Sequence, residues 1–233
     1  MAMTDSLMSI NERIAAALNR RASTVVTGRE VTVVAASKYV GFEGIIEAAN
    51  AGITIFGENR IQDLKDKVKN IARVAPEILE KITFHMIGHL QTNKARDAVY
   101  YNELIQSVDS LRLAEKLDEY SGKLSKKTGV LIEVKTSSEE TKSGIDPEEA
   151  IWLADKIESM PNLEFSGIMT MAELTDDREK ISGCFDLAHS VFSRLKKSHG
   201  DKCRYLSMGM SDDFETAIER GANMVRLGRV LFK

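Results

Sequence analysis

The sequence is poor in the residues that staple or metallate small scaffolds. Its 233 residues include two cysteines, Cys184 and Cys203, and four histidines. Two thiols without a CxxC spacing build neither a disulfide framework nor a four-thiolate zinc site, so both read as buried, reduced thiols. No pair of histidines or carboxylates has metal-ligand spacing. Only three prolines interrupt the chain, and no Pro/Ser-rich or low-complexity tract marks a linker, so residues 1–233 read as one domain. A surplus of one charge is missing too: 32 Lys and Arg face 35 Asp and Glu, a net charge of -3. That balance argues against a nucleic-acid binder or a membrane-surface binder. No apolar run approaches the ~20 residues needed to span a bilayer. The opening MAMTDSLMSINERIAAALNRR lacks the basic start and apolar run of a signal peptide, and the expected location is cytoplasmic.

What is present is a 43% hydrophobic chain, long enough to bury ~70% of its unfolded surface. After a helical extension over residues 1–27, strand-like runs alternate with helical patterns to the end. The runs are VTVVAAS (31–37), ITIFG (53–57), ITFHMIG (82–88), LIQSVD (104–109), VLIEV (130–134), LEFSGIMTM (163–171), RYLSMG (204–209) and NMVRLG (223–228). Each is short and apolar on both faces, as covered parallel strands are. Between them, Phe42, Ile45, Ile46 and Ala49 share a helical face, as do Leu113, Leu117, Tyr120 and Leu124, and Phe185, Ala188, Phe192 and Leu195. Asp146 is placed to cap a helix with Pro147 at its first position, and Ser211 to cap the next-to-last unit. Gly221 is placed to end that helix in a left-handed conformation, and Trp152 reads as core. Eight strand-helix alternations in this length predict an α/β fold, a single (β/α)8 TIM barrel with an extra N-terminal helix. The alternative, a doubly wound open sheet, lacks a GxGxxG after its first strand and any GxxxxGK[ST].

In such a barrel the active face lies at the C-terminal ends of the strands. Lys38 follows the first strand there. With its stem against apolar walls, partial burial would lower its pKa toward that of an amine able to attack a carbonyl; otherwise it is a solvated lysine. Met210 and Ser211 follow strand seven, and Arg226 and Gly228 end strand eight, the loops where barrels often bind phosphate. Gly209 and Gly228 admit a close backbone approach, Ser211 offers a hydroxyl, Arg226 a charged fork and a following helix its N-terminus; the same residues also serve plain capping and tight turns. Glu58, Asn59, Arg60, His89 and Thr170 fall on the same rim. His85, inside an apolar strand, reads first as a hydrogen-bonded core histidine. His189 and His199 fall on a helix outside the barrel, and Lys123, Lys126 and Lys127 read as a solvated helix end. A lysine amine facing a phosphate cradle points to a phosphorylated carbonyl compound held as a Schiff base, either pyridoxal 5'-phosphate (PLP) or the substrate of a sugar-phosphate aldolase.

The segments VAASK ending at Lys38, FGENRIQDLKDK from Phe56, FHMIGHLQTNK from Phe84, IQSVDS from Ile105, ETKSGI from Glu140, GIMTMAE from Gly167 and LSMGMSDDFETAIERGANMVRLG from Leu206 run in one order over nearly the whole chain. In that order they resemble the PLP homeostasis protein family, also called the YggS/PROSC family. The resemblance implies a barrel like the N-terminal domain of alanine racemase, with PLP bound covalently to Lys38. It implies that Ser211, Gly228 and nearby backbone amides hold the phosphate, that Met210 is a further cofactor-binding residue, that Arg226 lies by the cofactor near the pyridine nitrogen, and that Asn59 and His85 line the pocket. The sequence departs from the family pattern at Lys135, Asn223 and the terminal Lys233, none of which is Lys38 or a residue that the resemblance assigns to the phosphate. Members of the family look like carriers or regulators of PLP, and the expected role is PLP (vitamin B6) homeostasis by a monomer, with PLP-dependent apo-enzymes as partners. Alanine racemase uses a further domain with a tyrosine acid/base, and this chain ends at the barrel. The alternative is a PLP-dependent racemase using His85 or Tyr39.

Overall fold

The computed structural model describes residues 3–23, 25–137 and 143–232, so residues 140–142 of the ETKSGI segment and Lys233 lie outside the described residues. All eight expected runs form strands: β1 Thr32–Ala36, β2 Ile55–Glu58, β3 Thr83–Met86, β4 Leu104–Val108, β5 Thr128–Glu133, β6 Leu163–Met169, β7 Tyr205–Ser207 and β8 Met224–Leu227. They pair in parallel in sequence order, and β8 closes on β1 with Val34 opposite Arg226 and Ala35 opposite Leu227. The result is a closed (β/α)8 barrel. Around it run α1 Met3–Arg20, α2 Phe42–Asn50, α3 Ile61–Val74, α4 Pro76–Leu79, α5 Ala95–Tyr101, α6 Leu111–Lys123, α7 Ala150–Glu158, α8 Arg178–His199 and α9 Phe214–Glu219. None of these helices is long and apolar enough to cross a membrane.

Strand alternation sorts the core into two clusters. Ala35, Phe56, Phe84, Ile105 and Val130 point outward into the large sleeve between barrel and helices. Val34, Ile87, Leu104, Leu131, Met169 and Met224 fill the lumen. The sleeve carries most of the buried apolar area and therefore most of the stabilisation, at roughly 25 cal/mol per Å². The lumen's apolar layer is small, and buried His85, Gln106, Ser207 and Arg226 lie on the strands around it.

The N-terminal helix α1 buries Ile10, Ile14 and Ala17 at helical spacing. Its Arg13 makes a two-point ion pair with Glu215 at 2.8 and 3.0 Å and lies over the Phe214 ring, which fastens α1 to α9. Gly221 ends α9 with φ 111°, and the Ala222 amide closes onto the Ala217 carbonyl at 2.9 Å, as expected for a left-handed helix end. Cys184 and Cys203 are buried free thiols, and burial pushes Cys203 up to about 12.

Several local expectations are corrected. Trp152 is 48% exposed, because the buried face of α7 is Ala150, Leu153, Ala154 and Ile157, and position 152 falls off that stripe. Leu124 caps α6 and is partly exposed. Pro147 opens a 3-10 turn, and the Asp146 side chain makes no capping hydrogen bond. Lys126 is no solvated helix end: its ammonium donates to the Val99 and Asn102 carbonyls at 3.1 and 2.6 Å, where α5 stops.

Candidate functional site

The site is assembled on the C-terminal rim. On β1, Val34 and Ala36 face the lumen while Ala35 faces the helices, so the period-2 rule carries Lys38 onto the lumen side just past the strand. Of the two readings of this lysine, the solvated one holds: Lys38 is exposed, with its ammonium 4.9 Å from the Tyr39 ring centroid. At that separation the ring face attracts the cation. The lysine is presented at the rim.

Beneath it lies a clamp that sequence reasoning missed. The Lys67 ammonium donates to the Ser37 carbonyl at 2.8 Å and to Glu58 Oε1 at 2.5 Å, while the Ser37 hydroxyl donates to the same oxygen at 2.6 Å. Glu58 is fully buried at the end of β2, and its Oε2 has no partner among the described residues. Thus β1, β2 and α3 are tied together at the residue that precedes Lys38. A signal existed: Lys67 sits between Leu64 and Ile71, the buried residues of α3, where a lysine needs a partner. Lys67→Met leaves the Glu58 carboxylate buried and uncompensated, and the expected cost is about 3 kcal/mol. Chemical denaturation checks it, and adding Glu58→Gln to Lys67→Met should restore part of the loss.

A buried polar chain crosses the lumen. Arg226, 4% exposed, donates to the Ser207 hydroxyl and to the Thr170 carbonyl, both at 2.8 Å. The Ser207 hydroxyl lies 2.6 Å from Gln106 Oε1, and Gln106 Nε2 lies 3.0 Å from His85 Nδ1. A guanidinium can only donate, so the chain runs from Arg226 to His85 and assigns the His85 proton to Nε2. Burial holds His85 down at about 4, so it is neutral at physiological pH. His85 is the hydrogen-bonded core histidine first expected, with Gln106 as the partner that spacing did not reveal. Asn59 is half-buried just past β2, beyond the pair Gly57 and His85 and the pair Glu58 and Met86, so it shares the rim with the end of β3.

Burial lowers Arg226 to about 10, against the pull of the Asp213 and Glu133 carboxylates, and it stays cationic at neutral pH. Glu133, at the end of β5, is 2% exposed, with Oε2 unpartnered among the described residues. Burial first, and then Asp109, push it up to about 7; Asp109 itself lies 3.2 Å from His89 Nδ1. A carboxyl that ionises near 7 when folded and at its ordinary 4.5 when unfolded binds more protons in the folded state across that interval. Its contribution therefore falls as pH rises from 4.5 to 7. Glu133→Gln should flatten that part of the stability profile and raise the melting temperature at pH 8 relative to the parent, as read by thermal melts across pH.

The β7 and β8 loops meet as anticipated, by other contacts than capping. Asp213, not Ser211, is the N-cap residue of α9. Ser211 Oγ instead accepts from the Gly228 and Val230 amides, both at 3.3 Å, and joins the two loops. Since α9 has six residues and starts at Phe214, the amides around Met210, Ser211 and Gly228 belong to the loops and not to a helix N-terminus. Gly209 has φ 94°, and a Cβ there would stand 2.6 Å from the Ala217 Cβ, so the turn after β7 needs glycine. A Cβ on Gly228 would lie 3.2 Å from the Ala36 carbonyl, so the cradle abuts the end of β1, two residues before Lys38. Met210 is half-buried in the same loop, its amide donating to Asp213 Oδ1 at 2.5 Å. His189 and His199 lie on α8, away from this rim.

Residues 12–233 match the family described as alanine racemase, N-terminal domain. The pyridoxal phosphate homeostasis protein of Pasteurella multocida is 36% identical over 203 residues, 87% of this chain and 85% of that protein. PipY of Synechococcus elongatus, solved with PLP bound, superposes with a TM-score of 0.83 at 29% identity, covering 99% of this chain and all of that one. Alanine racemase of Clostridium difficile shares the fold alone, with a TM-score of 0.72 at 15% identity over 56% of its length. The rim lysine, the joined β7 and β8 loops and these likenesses agree: the chain belongs to the alanine racemase N-terminal domain family and, within it, to the pyridoxal phosphate homeostasis proteins.

Proposed function

We propose that this protein binds PLP on the barrel rim through Lys38 and buffers or delivers it without turning over substrate. The observation that carries the reading is the convergence on one rim of an exposed primary amine, two loops joined through Ser211 and a buried guanidinium. These groups fit the cofactor. A primary amine suits its aldehyde, the amides around Met210, Ser211 and Gly228 suit a phosphate, and Arg226 keeps N–H groups beyond those given to Ser207 and Thr170. The PLP-bound relative PipY supports the same ligand.

When bound, PLP would supply an aldehyde, for which the Lys38 amine is the matching partner, and an electron-withdrawing ring. The chain's own residues then favour holding over catalysis. Arg226 brings a fixed positive charge, which disfavours a proton on a neighbouring pyridine nitrogen and weakens the ring as an electron sink. His85, low in pKa and with its Nδ1 occupied by Gln106, offers the lumen an N–H rather than a base. Tyr39, the other acid/base named for a racemase, is 80% exposed beside Lys38. Asn59 and His85 would border the ring. The cytoplasm, a monomeric state and PLP-dependent apo-enzymes as recipients complete the proposal.

Two assays on the PLP-loaded protein test it. D- and L-alanine should interconvert no faster than with free PLP, and an added apo-aminotransferase should regain activity as the bound absorbance falls. Racemisation well above the free-cofactor rate would contradict the carrier reading. A protein that takes up no PLP but condenses with a sugar phosphate would favour the aldolase.

A further inference from the structure

The β7–β8 cradle is already supplied with oxygens by the chain itself. The Met210 amide donates to Asp213 Oδ1 at 2.5 Å, and the Gly228 and Val230 amides donate to Ser211 Oγ at 3.3 Å each. The Asp213 amide returns to the Met210 carbonyl at 3.2 Å, so the carboxylate closes its own turn. Although Asp213 is the N-cap residue of α9, its side chain makes no capping hydrogen bond there; it turns back onto the loop instead. The Ser211, Asp212 and Arg229 amides make no hydrogen bond among the described residues, and they border the same two loops.

We propose that the Asp213 carboxylate stands in for a phosphate oxygen in this cradle, and that its negative charge keeps the hold on a phosphate ester weak enough for release. The proposal rests on reading the cradle as the phosphate site. A phosphate that uses the loop amides must either displace Asp213 Oδ1 from Met210 or sit beside it. The first loses a charge-assisted hydrogen bond. The second places like charges together in a half-buried loop, where screening is incomplete. Arg226 attracts both anions, so it moderates the repulsion without favouring the ligand over Asp213. Either cost lowers affinity and speeds dissociation, which a buffer or donor requires and a catalyst with a resident cofactor does not. Ser211 differs, since a neutral hydroxyl can rotate to donate to an arriving phosphate oxygen.

The test compares the wild type with Asp213→Asn, which keeps the acceptor for the Met210 amide and removes the charge. Binding is measured by absorbance and stopped-flow release for PLP and for pyridoxal, which has the aldehyde but no phosphate, with inorganic phosphate as competitor. In Asp213→Asn the PLP dissociation constant should fall roughly tenfold, the order of removing one like charge at a partly screened site. Release should slow in proportion, inorganic phosphate should compete better, and pyridoxal binding should stay unchanged. Asp213→Ser, shorter and also neutral, should tighten PLP in the same direction and serves if the first variant fails to fold. Folded neutral variants that bind PLP no more tightly than the wild type overturn this proposal alone. A wild type that takes up neither PLP nor pyridoxal overturns the cofactor reading and this proposal with it.

Discussion

Replacing Lys38 with alanine is expected to abolish covalent capture of PLP and weaken its binding by ~100-fold or more, since one covalent imine outweighs the few hydrogen bonds that remain. The loss should come without a loss of fold. Lys38 is exposed and, among the described residues, lies against the exposed Tyr39 ring, so thermal stability should stay within about 0.5 kcal/mol of the parent. Residual binding would come from the loop amides and Arg226. The neighbouring Lys67 is no substitute nucleophile, because its ammonium is held between the Ser37 carbonyl and Glu58, and freeing it would strand a buried carboxylate. PLP titrations by absorbance, alongside melts of the same samples, check both halves.

Arg226→Leu should have the largest effect on the folded state. It removes the donor to Ser207 and to the Thr170 carbonyl and leaves the buried Glu133 and the half-buried Asp213 carboxylates without their shared cation. Breaking a buried charge arrangement by removing one partner costs about 3–5 kcal/mol, which for a chain of this size lowers the melting temperature by ~10 °C. Freed from Arg226, the Ser207 hydroxyl no longer has its direction imposed, and the chain through Gln106 to His85 loses its fixed sense. Arg226→Lys keeps the charge but cannot span both acceptors as the planar fork does, so it should recover part of the stability. Scanning calorimetry of the two variants separates the charge from the fork.

The barrel was legible because eight short apolar runs alternate with amphipathic segments, and that pattern has few solutions at this length. The rim positions of Lys38, Asn59, Ser211 and Gly228 follow from strand ends, which depend on local sequence. A solvated Lys38 was one of the two sequence readings, but its place over Tyr39 was not legible, since where a rim side chain lies depends on neighbouring loops. Ser211 looked like a cap because it precedes two aspartates; the Gly228 and Val230 amides, remote in sequence, claimed its oxygen instead. Gln106, Glu133 and Asp213 were overlooked for the same reason: each matters through Arg226 or His85, on other strands. Lys67 and Trp152 were readable after all. Helical phase sets the lysine on the buried stripe of α3 and the tryptophan off the stripe of α7.

The most direct test of the account is to load the wild-type protein with PLP, reduce it with borohydride and map the modified peptide by mass spectrometry. The account predicts one phosphopyridoxyl group per chain, on Lys38, accompanied by loss of the yellow Schiff-base absorbance. Modification spread over surface lysines, concentrated on Lys67, or absent after incubation with excess PLP would contradict it.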